Sequence, residues 1–265
     1  MKLSDLSRNS LKAIGRNIGL DVQMVEGHLL CTPLDPDDPR YSQDFVLPSM
    51  KMIDACRADD FDFFLPWLES GHLTVGQMHH AAERYQLGKT KSGQPMFWMI
   101  DDRHEPLDAH IANGTWLSTL LKAREPELLE CWHARHCLFG EHLLKNEKME
   151  KLENEKAVAI VEKEQSAVIL SELFPESIWM AYVTLLHLDI DRFAPLQERN
   201  VIIYPPTDPA FSTFLFFDEL AVTIHQHYGI HISVSSILED HATEDQKQRC
   251  IDILDFIQED STSAP

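Results

Sequence analysis

A chain of 265 residues can bury a sizeable core, and 44% hydrophobic with 25% charged residues is the make-up of an ordinary globular protein. Its net charge of −20, from 23 basic and 43 acidic residues, argues against a surface built to grip phosphates. Five cysteines suggest no disulfide framework, no apolar run approaches the roughly 20 residues of a membrane span, and the polar start MKLSDLSRNSLKAIGRN is no signal peptide. We therefore expect a reduced, cytoplasmic protein with no membrane partner.

Residues 4–17 predict a short helix, and LDVQMVEGHLLC (20–31) a hairpin turning at Gly27. The proline-rich stretch from Pro33 to Pro48 predicts a loop or linker. Helices are expected near 60–70 and 74–84, with Gly71 closing the first and Thr74 capping the second. RYQLGKTKSGQPMFWMID (84–101) predicts a second hairpin, with its turn at Ser92-Gly93. Residues 115–131 predict a helix with Trp116, Leu117, Leu120 and Leu121 on one face. The charged stretch 141–156 predicts a helix or linker with a Glu147–Lys151 pair.

From residue 157 the texture changes. Short apolar runs at 157–161, 178–182, 201–204 and 230–234 alternate with helical patterns at 165–173, 212–228 and 243–258. That alternation predicts an α/β fold with a mostly parallel sheet. The domains expected are 1–50, a helix, hairpin and linker; 51–156, a small α+β region with the hairpin 84–101; and 157–260, the α/β domain. The last 109 residues hold 5 basic and 18 acidic side chains, and so carry −13 of the −20.

In parallel sheets ligands gather at the carboxyl ends of the strands. Glu162 directly follows the strand AVAIV, and Asp208 lies four residues beyond the strand at 201–204. If those strands are parallel neighbours, the two carboxylates share an edge. By themselves, Glu162 and Glu164 read better as a solvated turn whose charges favour the next helix's N-terminus.

VAIVEKEQSAVI resembles the first strand and loop of toprim domains, the metal-binding fold of bacterial primases and topoisomerases. More narrowly, RYQLGKTKSGQPMFWMID, CLFGEHLL (137–144), VAIVEKEQSAVI and NVIIYPPTDPAF (200–211) resemble, in this order, a primase-related family from Bacteroidota-type mobile elements. The resemblance covers roughly residues 60–215. It implies Glu162 as the catalytic acid/base, with Glu162, Glu164 and Asp208 as ligands of a weakly held Mg²⁺. The chain departs from the pattern in three places. Gln165 stands where the family has lysine, WMAYVTLLHLD has none of the expected glycine, and Pro206 takes the place of the first carboxylate of an Asp-x-Asp pair. Two-metal phosphoryl chemistry needs the full carboxylate set, so the site reads as degenerate.

Other constellations are weaker. CWHARHC (131–137) lacks the spacing of a zinc site, and Cys137 reads as a packing residue. His79-His80 and HQHYGIHI (225–232) come without a partner carboxylate pattern. Phe97, Trp98 and Tyr85 read as core in preference to a base-stacking platform, and Lys89 with Lys91 are too few for a phosphate track. No nucleic-acid-binding residues are assigned, and direct nucleic-acid binding is not expected. The expectation is a degenerate toprim-like protein that binds a partner, a basic protein being the natural complement, in DNA replication or transfer. The alternatives are an active Mg²⁺-dependent nucleotidyl-transfer enzyme and an acidic protein–protein adaptor or nucleic-acid mimic.

Overall fold

The computed structural model describes residues 20–25, 28–33, 50–124, 136–145, 156–185 and 188–263. The expected helix at 4–17, the linker between Pro33 and Pro48, the Glu147–Lys151 pair and Cys131 to Arg135 lie outside them. In chain order the elements are β1 (Leu20–Val25), β2 (His28–Pro33), α1 (Met50–Cys56), α2 (Leu65–Glu69) and α3 (Val75–Arg84). They continue with β3 (Gly88–Lys89), β4 (Pro95–Ile100), β5 (Pro106–Ile111), β6 (Thr115–Trp116) and α4 (Leu117–Arg124). Then come β7 (Ala157–Val161), α5 (Glu164–Leu173), β8 (Ser177–Ala181), β9 (Val201–Ile203), α6 (Ser212–Tyr228) and β10 (Ile232–Val234), followed by α7 (Ile237–His241), α8 (Glu244–Gln248) and α9 (Ile253–Ser263).

The chain divides into two compact units. The first comprises residues 1–61, 82–100 and 104–136. In it β1 and β2 pair antiparallel, Val25 opposite His28. A second antiparallel sheet has the order β3-β4-β5-β6. The β3–β4 turn sits at Gly93, whose φ of 82° suits glycine. Met96 to Ile100 are all buried, so this strand is covered on both faces. Phe97, Trp98 and Tyr85 are core residues and offer no stacking face. Gly88 allows that packing: a Cβ there would stand 2.9 Å from Cys56 O and 3.2 Å from Trp98 Nε1. Thr115 and Trp116, expected to be helical, instead form β6 against Ile111 and His110, and α4 begins only at Leu117. Pairing with β5 outweighs the local helical pattern there.

The second unit comprises residues 62–81, 101–103 and 137–265. Thr74 caps α3 as expected: Gln77 N–H donates to Thr74 Oγ1, and Gln77 Oε1 accepts from Thr74 N–H. The main sheet has the order β10-β9-β7-β8 with every neighbouring pair parallel. Helices accompany it, so the unit is α/β. Val158 to Val161 and Ile178 to Ala181 are fully covered, which is why their sequences are continuous apolar runs. Each such aliphatic side chain contributes about 1.5–3 kcal/mol by leaving water. β7 and β9 are parallel neighbours, Val158 opposite Val201. Phe139 adds an antiparallel bridge to Ala181 on the free edge of β8.

The helix expected at 243–258 is two helices. Cys250 turns left-handed at φ 52°, and Asp252 restarts the helix by accepting from Asp255 N–H. Two N-terminal caps, Thr243 with Gln246 and Asp252 with Asp255, overrode one continuous pattern. No helix of the described residues is long and apolar enough to cross a membrane.

Candidate functional site

Because β7, β8 and β9 run parallel, their carboxyl ends form one rim. Glu162 follows β7 and Tyr182 follows β8. Tyr182 N–H donates to Val161 O at 3.0 Å, and Val183 N–H donates to Glu162 O at 2.9 Å. Val183 has φ 68°, a conformation β-branched residues avoid, so the chain turns sharply as it leaves this edge. From β9 the chain runs through Tyr204, whose N–H donates to Ile160 O at 2.8 Å. Three residues later Thr207 N–H donates to Ile251 O at 3.1 Å. That bond brings the α8–α9 turn, and with it Asp252, to the same rim.

Asp252 is 1% exposed. Its Oδ2 accepts from Ser166 Oγ at 2.7 Å and lies 3.2 Å from Lys163 Nζ. Lys163 Nζ also stands 3.2 Å from Asp255 Oδ2. Burial lowers the lysine's pKa, but the two aspartates outweigh it and raise the value, so the ammonium is held charged. Burial first, then the charges of Asp252 and Glu164, raise the Glu162 pKa against the opposing pull of Lys163. The Tyr182 hydroxyl is buried without a hydrogen-bond partner. Burial first, then Glu162 and Asp252, push its pKa upward.

The rim therefore holds Glu162, as expected, but its close electrostatic companions are Asp252, Glu164 and Lys163. Glu164 is buried as the first residue of α5, where a carboxylate favours the helix N-terminus. Asp208 is occupied otherwise. Its Oδ1 accepts from Ala210 N, Ser212 N and Ser212 Oγ, and its Oδ2 accepts from Thr213 N at 2.8 Å. These donors tie down the start of α6. Burial pushes the Asp208 pKa up, but the four donors prevail and hold it at about 2. Among the described residues no three His, Cys, Asp or Glu side chains are arranged to hold a metal ion.

A family model described as a domain of unknown function, DUF6371, matches residues 62–207, more than half of the chain. The chain belongs to the DUF6371 family. No curated protein shows a match to it. The DUF6371 region includes Glu162, Lys163, Glu164 and Tyr182 and ends one residue before Asp208. Asp252 and Asp255 lie beyond it, so part of this rim is built by chain outside the DUF6371 region.

The Mg²⁺ implied by the toprim-like resemblance fits this donor set poorly. A hard dication needs carboxylate oxygens with lone pairs directed at it. Both oxygens of Asp208 already accept backbone donors, and a lysine ammonium already bridges Asp252 and Asp255. Sequence reasoning did not assign Tyr182, Asp252 or Asp255. Asp252-x-x-Asp255 ahead of an apolar helical run is legible as a helix start, but its meeting with Lys163 is a long-range event.

Of the remaining candidates, the described residues make packing or surface contacts. Cys137 is 5% exposed, with its thiol pKa raised first by burial and then by Glu141. His136 Nε2 lies 3.3 Å from the buried Asp108 and its ring stacks on Trp116. His80 pairs with Glu172 at 2.7 Å, and the His225 ring lies tilted against His231.

Proposed function

We propose that this protein is a toprim-like member of its family in which metal-dependent phosphoryl chemistry has been lost, and that it acts by binding a partner in DNA replication or transfer. The observation that supports this most is Lys163. Its ammonium sits between Asp252 and Asp255 at the strand-end rim, a built-in monocation beside Glu162. Asp208 supports it as well, since its oxygens serve the start of α6. The −13 borne by the last 109 residues favours a basic protein partner over a nucleic-acid strand.

Titration calorimetry with Mg²⁺ and Mn²⁺ tests the loss of the metal site. Binding is expected to be millimolar or weaker, with no nucleotidyl transfer. Micromolar binding that Glu162→Gln abolishes would overturn this reading in favour of a Mg²⁺-dependent enzyme. That alternative draws on the raised pKa of Glu162, which suits an acid/base role. Fluorescence anisotropy with single- and double-stranded DNA and RNA at ~150 mM salt should show no appreciable binding. Tight, strongly salt-dependent binding would also count against the acidic-adaptor form of the reading.

A further inference from the structure

At the opposite edge of the same sheet, within the second unit, lies a cleft of about 470 Å³. Its walls include Asp102, Lys145, Gln197, Glu198 and Arg199. The segment 195–199 leads into β9, and Val158 N–H donates to Asn200 O at 2.8 Å. The cleft therefore belongs to the amino ends of β7 and β9, away from Glu162, and every residue lining it falls inside the span 62–207.

Two cations line this cleft in a chain of net charge −20. Arg199 is half-buried, and one terminal nitrogen donates to Leu144 O at 2.9 Å, which fixes the guanidinium in the wall. Lys145 Nζ is aligned by Asp102 Oδ2. Asp102 is itself anchored, since its N–H donates at 3.2 Å to Oε1 of Glu141, which is 3% exposed. Glu198 also lines the cleft, on backbone held left-handed at φ 65°, which costs a non-glycine residue energy. The charged lining is thus two cations and two carboxylates, with Arg199, Lys145 and Asp102 held by hydrogen bonds.

We propose that this cleft binds a small metabolite carrying one phosphate and several hydroxyls. The phosphate lies against Lys145 and Arg199, since a guanidinium and an ammonium together match a phosphate's oxygens. Asp102 and Glu198 accept from the hydroxyls. The same two carboxylates repel a polyphosphate or a nucleic-acid backbone, so the site discriminates by charge as well as by size. Its volume falls in the usual range for small-molecule sites, about 300–1,000 Å³.

Titration calorimetry of the full chain at low ionic strength with ribose 5-phosphate, inorganic phosphate and ATP decides the matter. Ribose 5-phosphate should bind most tightly, inorganic phosphate more weakly and ATP weakest. Arg199→Ala and Lys145→Gln should each weaken ribose 5-phosphate by about tenfold, or 1.4 kcal/mol. Glu198→Gln should weaken ribose 5-phosphate and strengthen ATP, since it removes a hydroxyl acceptor and a repelling charge together. If Arg199→Ala fails to fold on losing its bond to Leu144, Lys145→Gln decides alone, because that side chain is exposed and its removal leaves the wall standing. Absence of heat with all three ligands, ATP as the tightest ligand, or an affinity that Lys145→Gln does not move overturns the proposal. Each outcome is independent of the metal titrations at Glu162.

Discussion

Lys163 and Asp252 meet with Nζ 3.2 Å from Oδ2, one residue from the loop start after β7 and the other from the cap of α9. This pair ties the C-terminal helix to the strand-end rim. Asp252 is 1% exposed, so removing its counter-charge leaves a buried carboxylate with Ser166 and Asp255 N–H as its remaining donors. Lys163→Met should destabilise the protein by about 1–2 kcal/mol, less than a fully buried pair because the lysine is half exposed. Urea unfolding measures this. The same substitution should strengthen Mg²⁺ binding, since it vacates the cationic position between two carboxylates. Unchanged or weaker Mg²⁺ binding would count against the built-in-cation reading.

Asp208→Ala should cost about 1–2 kcal/mol, the usual loss when a helix start is uncapped. The folded-state pKa of about 2 lies below the unfolded value of 3.8. The stabilisation is therefore complete above the unfolded value and is lost as pH falls through 2. Melting temperature against pH should show the wild type and Asp208→Asn converging in acid. A constant gap down to the lowest pH would contradict the capping role.

Glu141 gives the opposite sign. Burial first raises its pKa, opposed by donations from Asp102 and Leu138 N–H, and the result is about 7 against an unfolded 4.5. The folded protein therefore holds a proton that the unfolded chain releases. This contribution is fully present below the unfolded value, declines as pH rises through 4.5 to about 7, and is flat above. Its size is on the order of 3 kcal/mol. Unfolding free energies measured across that range should fall more steeply in the wild type than in Glu141→Gln.

Gly88→Ala should destabilise by about 1–3 kcal/mol, as overpacking does. The new methyl would stand 2.9 Å from the Cys56 carbonyl, which is backbone and cannot swing aside. Chemical denaturation checks it, and Gly93→Ala, with open space but φ 82°, separates contact from backbone strain. A larger loss at Gly93 than at Gly88 would show that φ, not the contact with Cys56, dominates.

Sequence alone determined what local periodicity and burial encode. The four strands from residue 157, the parallel sheet and the 17-residue helix Ser212–Tyr228 were legible because continuous apolar runs and 3.6-residue spacing carry their own signal. Tertiary structure decided the rest. Asp208 follows a strand, as the sequence shows, but its four donors at the start of α6 come from the folded loop. Asp252 fell within one expected helix, 243–258, but the bond from Thr207 N–H to Ile251 O set it beside Lys163. The cleft of Lys145 and Arg199 joins residues from three separate segments, and Tyr182 faces two carboxylates through a sheet edge. Such meetings follow from which strands are neighbours and where loops return. A pattern of nearest neighbours along the chain does not carry that information, whereas the packed sheet does.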